Sequence, residues 1–242
     1  MKKRILVLFS CVFFSPTYAA DTLFFSSSTI ENDHVRSICV KVLETAFNRL
    51  NINLAVNNMP AGRSLIMSNS GKIDGEVARI AGIEVKFPNL SKVAVSCFSH
   101  DVYLYVRAGK DFNVSGWGSI PRDYVLGYRK GVQYIEQAAQ KHDISLYPLV
   151  NLKQVFGLLK AGRIDLMVST KQLFQIDADV KKSENIIMLE PAIEHHEFYS
   201  YLHKKNQHIL PKLNQVLVSM KLSGEIKLIQ LKQQALLSKR IF

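Results

Sequence analysis

The strongest constraint on this chain is a phrase used twice. Residues 60–79 read PAGRSLIMSNSGKIDGEVAR and residues 156–170 read FGLLKAGRIDLMVST. Each phrase sets a short helix before a glycine, then a basic residue, Ile and Asp, and then a buried-strand run. The first helix is predicted to begin near Ala61 and to end at Gly71, because glycine takes a left-handed terminus without a Cβ clash. Ile73 then leads into Val77, Ala78 and Ile80, an apolar run of buried-strand type. Gly71–Lys72–Ile73–Asp74 and Gly162–Arg163–Ile164–Asp165 stand 91 positions apart (162 − 71). A unit used once in each half predicts two lobes built alike, not a solenoid of stacked copies. Asp74 and Asp165, each just past its glycine, are read as structural residues that cap turns.

The rest of the chain alternates strands and helices. A strand is expected over Asp21–Ser26, a helix over 33–50 with Asn32 or Asp33 as N-cap, and a strand through Ile52, Leu54 and Val56. Further strands are predicted at Val93–Val95 and Val102–Val106, followed by a Gly, Asp, Ser and Pro loop over 108–121. The second half reads as strand (Tyr124–Tyr128), helix (Val132–His142), strand (Ile144–Leu149), helix (Leu152–Lys160), strand (Ile164–Val168) and a helix from Lys171. Strands at Ile186–Leu189 and Phe198–Leu202 precede a helical tail, His208–Leu237, broken near Gly224. The tail's stripe of Leu210, Leu213, Val216, Leu217 and Met220 is read as packing on the protein's own core. This order predicts an α/β fold with mostly parallel sheets. The chain is expected to leave lobe 1 (20–104, completed by 200–242) near residue 105 and to return from lobe 2 (105–199) near residue 200. Two hinge crossings with a cleft between them are the usual place for a small ligand.

With 242 residues, 48% hydrophobic and 21% charged, the chain can bury a substantial core. Its start has the layout of a secretory signal peptide: Lys2, Lys3 and Arg4, an apolar run over Ile5–Phe14, and cleavage after Ala19. The apolar run falls short of the ~20 residues a membrane span needs. A periplasmic mature chain from Ala20 is therefore expected. Loss of the three leader cations takes the net charge from +11 to +8. The basic residues are scattered, with no run of five, so nucleic acid is not expected as a partner and an anionic ligand is the simplest reason for the excess. Cys39 and Cys97 form either a disulfide or two buried thiols, and the absence of a CxxC argues against redox catalysis.

Candidate ligand contacts follow from placement. Arg79, at the edge of its strand, can grip a carboxylate or phosphate with a fork of hydrogen bonds, or else pair with Glu76 or Glu84. Glu76, facing away from Val77, could meet a ligand cation or orient Arg79. Arg63 sits at a helix start, where the helix dipole disfavours cations, and so points to an acidic partner or to the open surface. Ser27 and Ser28 follow the first strand and serve either the cleft or a helix cap. Tyr128–Gly131 (YRKG) lies between strand and helix, where backbone amides, close approach at Gly131 and the ring of Tyr134 could receive an anion. Ser169 and Thr170 occupy the place analogous to Arg79 in the second unit. No GxSxG, Walker A, HExxH or dinucleotide fingerprint is present, so neither an enzyme nor a cofactor is expected. His195–His196–Glu197 lacks a third ligand for a metal.

The two-lobe pattern, PAGRSLIMSNSGKIDGEVAR, LLKAGRIDLMVS and the closing LPKLNQVLVSMKLSGEI resemble periplasmic solute-binding proteins of extracellular family 3, in the transporter substrate-binding domain branch. The resemblance spans essentially the whole mature chain. It implies a type II periplasmic-binding-protein fold that closes on a small molecule, often for delivery to an ABC permease, and a carboxylate-binding arginine in the neighbourhood of Arg79. Amino-acid-binding members follow their arginine with an aromatic–Ser–x–Pro–Tyr segment, whereas Arg79 is followed by Phe87–Pro88–Asn89–Leu90. A small polar, anionic ligand is therefore expected in place of an α-amino acid. Two other classes share the scaffold: a sensor or adaptor that signals through protein contact, and a dehydratase-like enzyme using Glu76 as its acid or base.

Overall fold

The computed structural model describes residues 21–28, 33–171 and 185–238, and the duplicated unit frames both halves. The first half runs β1 (Thr22–Ser28), α1 (Asp33–Asn48), β2 (Asn53–Met59), α2 (Ala61–Asn69) and β3 (Gly75–Ile80). After β4 (Leu90–Lys92) and β5 (Phe98–Arg107), the second half repeats the pattern. It consists of β6 (Val125–Arg129), α3 (Gln133–His142), β7 (Ser145–Leu149), α4 (Leu152–Lys160) and β8 (Leu166–Thr170). The long β9 (Ile186–His203) and the helices α5 (Leu210–Leu222) and α6 (Glu225–Ser238) close the chain. In each half the first strand lies in the middle and runs parallel to both neighbours, giving the orders β2-β1-β3 and β7-β6-β8.

The repeated aspartates hold these units together. Gly71 (φ +76°) and Gly162 (φ +73°) turn the chain out of α2 and α4 in the left-handed region. The Asp74 amide then donates to the Phe24 carbonyl at 2.7 Å, and its carboxylate accepts the Phe24 N–H at 2.8 Å. Asp165 does the same to Val125, at 3.1 and 2.9 Å. Each aspartate thus clamps the helix-to-strand turn onto the central strand of its half, satisfying an amide at the strand's start that the ladder leaves open.

The sheet does not stop between the halves. Its order is β2-β1-β3-β9-β5-β8-β6-β7, with β4 also on β9, and every pairing made by β5 and β9 is antiparallel. The expectation of mostly parallel sheets is corrected accordingly. The parallel βαβ units are there, but the two crossings lie side by side and join them into one mixed sheet. Pairing of β5 with β9 slips between Val102 and Leu104, where the partners jump from Glu194 to Leu189 and the intervening stretch contains the cis peptide Glu190–Pro191. The apolar cores divide at this place. One gathers Phe25, Ile38, Phe47, Val77 and Phe98 with Leu202, Leu213 and Met220; another gathers Val102, Leu104, Leu126, Leu166 and Leu189. A side chain buried as fully as Leu213 or Leu104 contributes about 1.5–3 kcal/mol by leaving water.

Most predicted elements stand within a residue or two. Val93–Val95 is not a strand: β4 lies just before it, and Val93 and Val95 are buried core residues. The two late strands are one continuous β9. Cys39 and Cys97 form a disulfide with Cα atoms 5.1 Å apart. The leader (1–19), Asn32 and the helix expected beyond Lys171 lie outside the described residues. Among the described residues no helix is long and apolar enough to cross a membrane.

Candidate functional site

A cavity of about 260 Å³ lies where the two halves face each other across the crossings. The first half contributes Leu65 from α2 and Arg79 and Ile80 from β3; the second contributes Arg129, the Gly131–Ile135 turn, Leu152, and Val168–Thr170 at the end of β8. His100, His196 and Phe198 of the crossing strands also line it.

Arg79 is held from behind. Glu76 is fully buried, and so are the three serines around it. Ser64 and Ser68, four apart on α2, share the helix face turned to the sheet, and Ser26 comes from β1. All three hydroxyls donate to Glu76 Oε1, at 2.7 Å from Ser26, 2.7 Å from Ser64 and 2.6 Å from Ser68. Arg79 donates to Oε2 through Nε at 2.8 Å and Nη2 at 2.7 Å. In a regular strand, residues three apart face opposite sides. A register shift between Glu76 and Arg79 on β3 brings them together. The buried charges are tolerated because they are paired and the carboxylate's remaining acceptor capacity is filled.

The opposite wall is aromatic. Tyr134, in the first turn of α3, lies 4.5 Å centroid to centroid from His196. His196 faces its cross-strand partner His100, and His100 stands 5.2 Å from Phe198. Behind this wall, Glu194 accepts a hydrogen bond from Trp117 Nε1 and its Oε2 lies 2.7 Å from His196 Nε2. Burial alone would raise the Glu194 pKa, but the His196 ring nitrogen beside it and the hydrogen bond from Trp117 outweigh it and hold the carboxylate below its ordinary range. Burial pushes the Tyr134 hydroxyl up, Glu194 adds to this and Arg129 opposes it, so the phenol stays a neutral donor. His195 points away, as its neighbour in an extended strand must, and pairs with Asp101 at 2.7 Å near the surface.

Of the residues singled out in the sequence, Arg79, Gly131, Tyr134, Ser169 and Thr170 lie on the cavity wall. The others do not. Arg63 is exposed on α2, away from the cavity, so the acidic partner expected from its helix-start position is not a cleft ligand. Glu76 is sealed behind Arg79, which leaves it no contact with a ligand and removes the acid–base role considered for it. Tyr128 is buried and donates to Glu136 Oε1 at 2.9 Å. That oxygen also accepts the Gly131 N–H at 3.2 Å, so the amide expected to receive an anion is already engaged. Ser27 is buried off the wall, and its Oγ has no hydrogen-bond partner among the described residues. Ser28 ends β1, and its side chain lies outside the described residues.

Sequence reasoning missed Arg129 and His100 on the wall and the serine triad behind it, while His196 was read only as a solvated or hinge-lining histidine. Arg129 had a signal. Pairing Phe24 with Val125 through the aspartate clamps makes Arg129 the counterpart of Ser28 at the mouth of the cleft. The serines had one too: a four-residue spacing on a helix beside a glutamate placed inside an apolar strand.

No family model matches the chain. Over 202 residues it is 25% identical to an uncharacterized protein of Shewanella oneidensis, covering 78% of this chain and 72% of that protein. Solved structures resemble it over nearly its whole length. A mutant of ArgBP from T. maritima superposes with a TM-score of 0.65 at 16% identity, over 88% of this chain and 95% of the other. The GluR0 ligand-binding core from Nostoc punctiforme, in complex with L-glutamate, gives 0.65 at 14% identity, over 87% and 98%. An amino acid ABC transporter substrate-binding protein, AbpA of Streptococcus pneumoniae bound to L-arginine, gives 0.65 at 13% identity, over 88% and 94%. The chain has the two-lobed α/β fold of periplasmic binding proteins. Its structural neighbours include an ABC transporter substrate-binding protein, consistent with the resemblance to extracellular family 3.

Proposed function

We propose that this chain is a periplasmic solute-binding protein that captures a small anionic ligand between its lobes and presents the closed form to a membrane permease. One observation carries the reading: a single cavity is walled by an arginine from each lobe, Arg79 and Arg129. A carboxylate held between two guanidiniums forms charge-assisted hydrogen bonds to both. The first turn of α3, whose residues also line the cavity, adds backbone amides and the positive end of a helix dipole. Tyr134, Ser169 and Thr170 supply the wall and hydroxyl contacts, Gly131 allows close approach, and Glu76 positions Arg79.

Closure follows from the same contacts. A ligand that touches both lobes has more partners in the closed state than in the open one, and that difference alone can shift the equilibrium. The arginine and L-glutamate bound by structural neighbours both carry a carboxylate, which agrees with an arginine-lined cleft.

The test is a thermal-shift screen of residues 20–242 against organic acids, amino acids, sugars and polyamines. A ligand at 100 times its Kd adds about 2.7 kcal/mol to stability, a readily visible shift. Arg129→Ala is expected to abolish the shift for the hit, with the melting temperature of the free variant as its own baseline. A hit whose shift survives Arg129→Ala binds elsewhere and defeats the site assignment.

A further inference from the structure

From the cavity wall we infer the ligand's class: a small aromatic carboxylate without an α-ammonium group. This rests on the capture reading and narrows it. Three observations carry it.

The first is the ring wall. Tyr134, His196, His100 and Phe198 form one run of faces and edges, with neighbouring centroids 4.5, 5.9 and 5.2 Å apart, and all four side chains line the cavity. The run draws on both crossing strands and on α3. A flat ring gains more from such a surface than a saturated body of equal size, because its edge and face match the quadrupoles of the wall.

The second is charge. Arg79 and Arg129 line the cavity, and among the described residues no aspartate or glutamate does. The carboxylates just behind the wall are engaged there, Glu76 on Arg79, Glu194 on His196 and Trp117, and Glu136 on Tyr128 and the Gly131 amide. A ligand carboxylate entering here meets donors, whereas an ammonium would leave water for cations and rings with no counter-charge among the described residues. Such a charge without a carboxylate partner disfavours amino acids relative to simple acids.

The third is size. About 260 Å³ falls below the roughly 300–1,000 Å³ of sites for drug-sized ligands, and Ile80, Val132, Ile135 and Val168 make much of the remaining wall apolar. The space suits one ring and a short acid arm, with the body of the ligand apolar.

Calorimetric titration of residues 20–242 decides the matter with matched probes. Benzoate and phenylacetate test the ring, cyclohexanecarboxylate tests the same acid without aromaticity, and phenol tests the ring without the acid. 3-Phenylpropionate and L-phenylalanine differ only in the ammonium. At least one aromatic acid is expected to bind tenfold or more tighter than cyclohexanecarboxylate, and phenol is expected not to bind. 3-Phenylpropionate should exceed L-phenylalanine by tenfold or more. Tyr134→Leu should bring the aromatic-to-saturated ratio toward one. The inference is overturned if L-phenylalanine matches or exceeds 3-phenylpropionate, or if the saturated acid matches benzoate and phenylacetate. Arginine, glutamate or a sugar binding in an Arg129-dependent manner while every aromatic acid fails would overturn the class and leave capture standing. Silence from this panel and from the wider screen would overturn both.

Discussion

Arg79 is both a wall residue and half of a buried ion pair, which changes what its removal means. Arg79→Ala leaves the Glu76 carboxylate buried opposite an empty space, a defect that costs about 3–5 kcal/mol. The variant is expected to melt well below the parent, and Glu76→Leu/Arg79→Leu to recover part of the loss, both read by chemical denaturation. Loss of ligand binding in Arg79→Ala therefore has to be judged against its stability, and the same control applies to Arg129→Ala. Glu194 offers a second residue-scale test. Its folded pKa lies below the unfolded value of about 4.3. Ionised Glu194 thus contributes stability that is present above the unfolded pKa and is lost as pH falls through the folded one. Glu194→Gln should be less stable than the parent at pH 7, and the gap in denaturation midpoint should narrow at pH 3.5. At this scale the sequence was half legible. Arg79 and Tyr134 stood at recognisable element ends, but His100 and His196 meet only through a cross-strand register that no local pattern encodes.

The helix–Gly–basic–Ile–Asp units were legible as elements because everything that defines them is local: a 3.6-residue period, a glycine at the left-handed turn and an apolar run. The aspartates at their ends were read as turn caps, and they do more, since each binds a strand some forty or fifty residues earlier. Asp165→Ala is expected to cost about 1.5–3 kcal/mol through loss of the charged acceptor for the Val125 amide. Asp74→Ala should cost more, because that carboxylate also takes Asn206 and Lys205 at 2.8 and 2.9 Å. Urea midpoints of the two variants, measured side by side, check the order. What could not be read at this scale was the centre of the sheet. Antiparallel pairing of β5 with β9 joins segments about ninety residues apart, and the strands there look like any half-buried strand in isolation.

At the scale of the molecule, the Cys39–Cys97 bridge ties α1 to the segment just before β5, and so lies wholly within the first core. Closing a loop of 58 residues stabilises by up to about 4 kcal/mol on the chain-entropy account. Unfolding in reductant should therefore shift the denaturation midpoint down, while ligand affinity of the oxidised and reduced native proteins stays alike, because neither cysteine lines the cavity.

The order in which the two cores collect their residues has a consequence for how the chain is built. The second core draws on the uninterrupted stretch from Val102 to Ile193, whereas the first waits for Phe198, Leu202, Leu213, Leu217 and Met220. A chain emerging from its amino terminus can complete the middle of the protein first. Its opening ninety-odd residues cannot finish collapsing until nearly the last helix has arrived. Pulse-labelled hydrogen exchange during refolding should accordingly show amides of β6 and β8 protected before those of β1 and β3. Such a delay leaves the leading part of the chain without its full core until its last segments arrive.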